Sequence, residues 1–192
     1  MGSSGSKREI SDEEIKKIHQ TVEFSEEEIR RWFKGFHDKC PKGKMTKDEF
    51  AKMYSEMFST GDVSFFAGHV FRTFDKNKDD YLNFREFIEG LSIISRGTRE
   101  DKLRWAFEMY NVDGGRVVTK KEMMEIVKSI FQAAGNTVNL PPDENTPDKL
   151  TYKIFAHLDK NDDGTITLDE FISGAKSYPT FLRMLENPAS VR

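Results

Sequence analysis

The chain has 192 residues, 36% of them hydrophobic and 16 of them phenylalanine, so it can form one sizeable domain or two small lobes with apolar cores. Its formal net charge of -3 does not suggest a nucleic-acid partner, and no stretch approaches the roughly 18 consecutive apolar residues of a membrane span. The single cysteine, Cys40, excludes an internal disulfide and fits a reducing compartment.

The first six residues, Met1-Gly2-Ser3-Ser4-Gly5-Ser6, match the M-G-x-x-x-[ST] signal for N-myristoylation of Gly2 after removal of Met1. A remnant of an expression tag has a similar run of glycine and serine, so that alternative stays open. A single myristoyl chain gives only marginal, reversible membrane binding. We therefore predict a cytoplasmic protein that associates peripherally with a membrane surface through one acyl chain on its N-terminal segment, residues 1–24.

Four twelve-residue stretches share the spacing D-x-[DN]-x-[DN]-G-x₅-E of an EF-hand calcium loop, fully or in part: Asp38 to Glu49, Asp75 to Glu86, Asn111 to Glu122 and Asp159 to Glu170. Ca²⁺ takes six to eight oxygen ligands, and such a loop brings them to one point. Position 8 is apolar in every loop, which predicts a short strand, and positions 9 and 12 have the spacing of a helix capping box. Apolar residues at helical spacing flank each loop. The sequence predicts an all-α fold with four EF-hands in two paired lobes and short cross-loop strands.

The first loop is not expected to bind calcium. Cys40 stands at position 3 and Lys42 at position 5, with Pro41 stiffening the turn between them. A lysine where a carboxylate belongs repels the ion. The predicted role of this loop is to support the second one.

The second loop has a full set of ligands. Its one departure is Asp80 at position 6, where glycine is preferred because φ must be positive. Aspartate is among the few residues that tolerate this region, at a cost of about 1 kcal/mol. We expect this loop to bind Ca²⁺ through Asp75, Asn77, Asp79, the carbonyl of Tyr81, Asn83 and Glu86.

The third loop lacks much of this set. Asn111 replaces a carboxylate, Gly115 leaves position 5 without a side chain, and Arg116 brings a positive charge to the bend. We therefore expect two calcium sites in the chain, while binding to this loop is left open as a third.

The fourth loop fits the pattern at every position. Gly164 permits the sharp turn, and Ile166 is the strand residue. Mg²⁺ is an alternative occupant of such sites when calcium is low. The expected ligands are Asp159, Asn161, Asp163, the carbonyl of Thr165, Thr167 and Glu170.

The loop spacing places hands one and two in an N-lobe, 25–95, and hands three and four in a C-lobe, 98–176. The tail, 177–192, carries Phe181, Leu182, Met184 and Leu185, which are enough for a short amphipathic helix.

Several runs resemble the neuronal calcium sensor family, and within it the frequenin branch, over essentially the whole chain. They are Cys40-Pro41-Lys42-Gly43, Ser95-Arg96-Gly97-Thr98, Lys102-Leu103-Arg104-Trp105-Ala106-Phe107, Gly135-Asn136-Thr137-Val138 and Glu144-Asn145-Thr146-Pro147. The resemblance implies an all-helical protein without catalysis whose first hand is inactive. It also implies metal in the third hand, which Asn111, Gly115 and Arg116 put in doubt.

The resemblance further implies an exposed groove that receives an amphipathic helix of a target protein. Calcium opens the helix pairs of sensor EF-hands, which agrees with such a surface. The matching positions are Trp32, Phe36, Phe50, Met53, Tyr54, Met57, Phe87, Leu91 and Trp105.

The leading hypothesis is thus a calcium sensor that regulates a membrane-associated target. A cytosolic calcium buffer, which barely opens on binding, is one alternative. A constitutive EF-hand regulatory subunit of an enzyme is another. We do not expect an enzyme, because the sequence shows no nucleophile with a base and no phosphate loop, and calcium explains the clustered carboxylates.

Overall fold

The computed structural model describes residues 9–57, 62–135 and 139–186, and this part of the chain is mostly helical. The predicted all-α class with short cross-loop strands is confirmed. Its helices are α1 (Asp12–His19), α2 (Glu26–Lys39), α3 (Lys47–Met57), α4 (Ser64–Phe74), α5 (Phe84–Arg96), α6 (Arg99–Tyr110), α7 (Lys120–Ala134), α8 (Pro147–Leu158), α9 (Leu168–Ser177) and α10 (Pro179–Glu186). Its strands are β1 (Lys44–Thr46), β2 (Tyr81–Asn83), β3 (Val117–Thr119) and β4 (Thr165–Thr167).

Each predicted cross-loop strand pairs with the strand of its neighbouring hand. β1 is antiparallel to β2, with Met45 opposite Leu82, and β3 is antiparallel to β4, with Val118 opposite Ile166. All four of these position-8 side chains are buried. In each of the last three loops the strand at positions 7 to 9 leads into a helix through a capping box, formed by Asn83 with Glu86, Thr119 with Glu122 and Thr167 with Glu170.

The chain divides into two compact units: Met1–Thr46 with Phe74–Gly97, and Lys47–Thr73 with Thr98–Arg192. The lobe boundaries expected from the sequence, 25–95 and 98–176, stay a prediction. No helix in the described ranges is both long and apolar enough to cross a membrane.

In the first unit, α1 packs against α2, and α2 against α5. The sequence reasoning missed α1, which begins after the N-cap Ser11 and buries Ile15 and Ile18. Their i, i+3 spacing beside a capping serine was the available signal. Aromatic rings form another part of this core, where the ring centroid of Phe36 lies 5.4 Å from that of Phe87.

In the second unit, α7 packs against α8, α6 against α9, and α10 against both α6 and α9. The short tail helix expected from the sequence is α10. Its Phe181 is fully buried, with its ring centroid 5.4 Å from that of Phe171 and 5.8 Å from that of Tyr110. The helix α10 therefore contributes to the core of this unit.

Candidate metal centre

The second loop wraps around the carboxylate at its first position. Asp75 follows the end of α4 and is buried. Its Oδ1 accepts the N–H of Asp79 at 3.2 Å, and its Oδ2 accepts the N–H of Asp80 at 3.0 Å. Oδ1 of Asn77 accepts the same Asp79 N–H at 2.9 Å, and Oδ1 of Asp79 accepts the N–H of Tyr81 at 3.0 Å. These bonds curl the backbone of positions 1 to 7 around the Asp75 side chain.

The fourth loop repeats this geometry bond for bond. Asp159 accepts the N–H of Asp163 at 3.2 Å and that of Gly164 at 2.9 Å. Asn161 again accepts the position-5 N–H, and Asp163 accepts the N–H of Thr165 at 2.8 Å. The N–H and hydroxyl of Thr165, with the amide of Asn161, hold the pKa of Asp163 below its ordinary value. Positions 1, 3 and 5 thus carry the same residue types, with the same backbone bonds, in both loops.

Positive φ angles at the bend make this curl possible. Position 6 has φ of 63° at Asp80 and 80° at Gly164, and position 4 has φ of 58° at Lys78 and 56° at Asp162. The expectation that Asp80 adopts the conformation normally left to glycine is confirmed. Gly164 achieves the same turn without a steric cost because it has no Cβ.

The glutamates at position 12 close both loops from the start of the next helix. One oxygen of Glu86 accepts the N–H of Asn77 at 3.3 Å and the other that of Asn83 at 3.1 Å. Glu170 accepts the N–H of Thr167 in the same way, but its other oxygen accepts the N–H of Lys160, at position 2 instead of position 3. The bond from the Thr167 N–H is the largest of the causes that lower the pKa of Glu170. Within 9–57, 62–135 and 139–186, no three His, Cys, Asp or Glu side chains are gathered as a metal cluster. The donors are oxygens, the type that Ca²⁺ takes, so the residues fit this ion.

A lysine from the first hand reaches a predicted ligand of the second loop. Lys44 in β1 places its Nζ 3.2 Å from Oδ2 of Asp79 and 5.0 Å from the ring centroid of Tyr81. Burial raises the pKa of Asp79, but the bonds from Lys44 and from the Tyr81 N–H outweigh it and leave the pKa lowered. Sequence reasoning missed Lys44. The strand register, with Lys44 opposite Asn83, was the signal.

The third loop is built differently. Asn111 donates its Nδ2–H to the carbonyl of Gly115 at 2.7 Å, which ties positions 1 and 5 directly. The positive φ of this loop falls at Gly114, 72°, in position 4. Glu122 accepts the N–H groups of Asp113 and Thr119 at 3.0 and 2.8 Å. An amide donor therefore occupies the place where the other two loops carry an acceptor carboxylate.

The first loop closes as a simple turn. Cys40 caps α2 and is buried, and its carbonyl accepts the N–H of Gly43 at 2.8 Å. Gly43 has φ of 73°. Lys42 is exposed at position 5, so this loop presents a cation where a ligand would be needed.

The predicted groove residues fall in both units. In the first unit, Trp32 is 40% exposed, Leu91 is half-buried, and Phe36 and Phe87 are buried; the Trp32 ring lies 6.2 Å from that of Phe87. In the second unit, Phe50 is buried, while Met53, Tyr54 and Trp105 are half-buried. Gly2 and the Met57 side chain lie outside the described residues.

Comparison with known proteins shows the family. Residues 100–176 match the EF-hand domain pair. The chain is 43% identical to Neuronal calcium sensor 1 of Lymnaea stagnalis and 44% identical to that of Aplysia californica, in each case over 96% of both chains. It is 38% identical to Recoverin of Homo sapiens over 97% of this chain and 94% of the relative. These likenesses confirm the resemblance inferred from the sequence motifs: the chain belongs to the neuronal calcium sensor family of EF-hand proteins.

Proposed function

We propose that this chain is a calcium sensor that binds Ca²⁺ in its second and fourth loops and then presents apolar surface to an amphipathic helix of a target protein. The ligands are the six predicted from each loop, running from Asp75 to Glu86 and from Asp159 to Glu170. Family membership supports calcium binding in general. The number of sites and the groove belong to the proposal.

The observation that carries the proposal is the shared geometry of these two loops. In both, an aspartate at position 1 accepts the N–H groups of positions 5 and 6, and φ is positive at position 6. The third loop has an amide donor at position 1 and its positive φ at position 4. The second and fourth loops thus share a backbone curl that the third lacks, which supports calcium binding in these two.

Trp32 is the strongest candidate for an anchor of the target. It is a large side chain with 40% of its surface exposed, and it packs against the rings of Phe24 and Phe87. Tryptophan is enriched among residues that dominate binding energy at interfaces. An apolar helix face laid over this indole would bury it.

A hydrophobic dye that fluoresces in apolar surroundings tests for a sensor against a buffer. We expect dye fluorescence to be severalfold higher in calcium than in chelator, because calcium opens the helix pairs of sensor EF-hands and barely opens those of buffers. Trp32→Ala should remove much of this increase. Tyr152→Ala is the matched control, since Tyr152 is 66% exposed and lies on α8. Equal dye binding with and without calcium would favour a buffer or a constitutive subunit.

The acyl anchor is a separate part of the proposal and has its own test. Co-expression with an N-myristoyltransferase should raise the intact mass by one myristoyl group, and Gly2→Ala should prevent it. The modified protein should then bind vesicles weakly and reversibly. An unmodified Gly2 would remove the membrane anchor and leave the calcium sites untouched.

A further inference from the structure

A guanidinium group from α4 donates hydrogen bonds to the backbone at the start of the third loop. Arg72 donates from Nη1 to the carbonyls of Asn111 and Val112, at 2.9 and 3.1 Å, and from Nη2 to the carbonyl of Met109 at 2.6 Å. Asn111 and Val112 are positions 1 and 2 of that loop. The contact spans 37 to 40 residues of sequence.

The three carbonyls lie at or just beyond the C-terminal end of α6. Met109 is in its last turn, Asn111 is its C-cap and also accepts the N–H of Gly114 at 3.4 Å, and Val112 follows. The last carbonyls of a helix have no N–H ahead of them within it, and this end of a helix carries partial negative charge. Arg72 is half-buried, and burial lowers its pKa, while the charges of Glu125 and Glu122 act in the opposite direction. Glu122 is position 12 of the same loop. The guanidinium therefore lies in the field of both ends of the third loop.

A second bond ties the same two helices together. Trp105 on α6 donates its Nε1–H to Oγ1 of Thr73 at 2.9 Å, and Thr73 is buried next to Arg72 on α4. Two successive residues of α4 thus fix the direction in which α6 enters the third loop.

The pairing of β3 with β4 connects the third loop directly to the fourth. Val117–Thr119 follow the third loop's bend and pair with Thr165–Thr167, which contain two of the predicted ligands of the fourth loop. The third loop itself has no carboxylate at position 1, so its start is held by protein groups: the Arg72 guanidinium and the Asn111 amide.

We propose that Arg72 is a positioning residue that takes the place of a metal ion in the third hand, holding that hand in order without calcium so that it supports calcium binding by the fourth loop. The second part rests on the proposed calcium site at Asp159 to Glu170. Arginine suits the task because its donors are spread over separate nitrogens in one plane, here Nη1 and Nη2, whereas the three donors of a lysine ammonium diverge from a single atom.

Hydrogen exchange of the full-length protein in chelator tests the first part without calcium. Arg72→Met should speed the exchange of amides in 109–116 by about tenfold, since hydrogen bonds to a charged group are lost. Arg72→Lys should give an intermediate rate. Arg104→Met is the control, because Arg104 is an exposed arginine on α6 whose ion pair is with Glu100 of the same helix. Unchanged exchange in 109–116, or an equal rise throughout the chain, would overturn the assignment.

Calorimetric calcium titration tests the second part. With the second loop disabled by Glu86→Gln, Arg72→Met should weaken calcium binding to the fourth loop by about fivefold to tenfold, and Arg104→Met should leave it within twofold. Binding unchanged by Arg72→Met would show that Arg72 has no role in the fourth loop. If the Glu86→Gln protein binds no calcium, the proposed site of the fourth loop is wrong and the second part is overturned with it. The exchange result still decides the first part.

Discussion

Lys44 is expected to lower the calcium affinity of the second loop. Its Nζ lies 3.2 Å from Oδ2 of Asp79, the predicted position-5 ligand. In the other strand pair, Val117 stands opposite Thr167 where Lys44 stands opposite Asn83. The fourth loop therefore lacks this cation. Lys44→Met removes the charge and keeps an apolar stem over Tyr81, so we expect it to tighten calcium binding to the second loop.

The size of the effect follows from the distance. Calcium lies about 2.4 Å from its oxygen ligands, so an ion bound through the other oxygen of Asp79 would be roughly 5 Å from the lysine nitrogen. Both side chains are substantially exposed, 54% for Lys44 and 40% for Asp79, so a water-like dielectric and salt screening apply. The repulsion between charges of one and two units at that distance corresponds to about a threefold to tenfold change in Kd.

The assay is calorimetric titration of protein carrying Glu170→Gln, which leaves the second loop as the responding site. Lys44→Met should lower the Kd by the stated factor, and the gain should shrink when salt is raised from about 0.1 M to about 1 M. Lys17→Met, which removes an exposed lysine from its pair with Glu13, is the control. The reverse change, Val117→Lys, should weaken the fourth loop in a Glu86→Gln protein. Unchanged or weaker calcium binding in Lys44→Met would refute the reasoning.

Three further outcomes are expected. Glu170→Gln should abolish the calcium-dependent protection of β3 and β4 from hydrogen exchange, because the fourth loop loses its closing carboxylate. Asp169→Asn, which changes an exposed neighbour, should keep this protection. Full protection in Glu170→Gln would show that the third loop binds calcium. Phe181→Ala should cost about 3–5 kcal/mol in urea unfolding in chelator, against about 1 kcal/mol for the half-buried Leu182→Ala; equal losses would contradict the place of α10 in the core. Burial, with the nearby positive charges of Arg72 and Lys47, lowers the pKa of His69 to about 4. As pH falls from about 6.5, this histidine is therefore protonated in the unfolded chain before it is protonated in the folded one. The free energy of unfolding in chelator should fall between pH about 6.5 and about 4. His69→Gln should flatten that part of the pH profile, and an identical profile would rule out this group.

The parts of the structure that depend on local spacing could be predicted from the sequence. Loop positions 1 to 12 fix where the ligands, the bend and the capping glutamate stand, so the short strands at position 8 and the capping boxes could be predicted. The positive φ of Asp80 was predicted for the same reason. A steric rule applied to one position needs no knowledge of the rest of the fold.

The parts that depend on distant partners could not be predicted in this way. The contacts of Arg72 are backbone carbonyls, which every residue possesses, so no side-chain pattern marks them. Lys44 looks like an ordinary exposed lysine until the pairing of β1 with β2 brings it to Asp79. The tail helix α10 was expected from its apolar spacing, but its burial against Tyr110 and Phe171 required the packed second unit.

The most direct test of the central claim is the number of calcium ions that the protein binds. Calorimetry would measure it by titrating calcium into protein that has first been stripped of calcium and freed of chelator. We predict two ions per chain, one ion after either Glu86→Gln or Glu170→Gln, and none after both changes. Three ions per chain would contradict the interpretation of Asn111 and Arg116. Calcium retained in the double variant would show that the binding sites lie elsewhere than in the second and fourth loops.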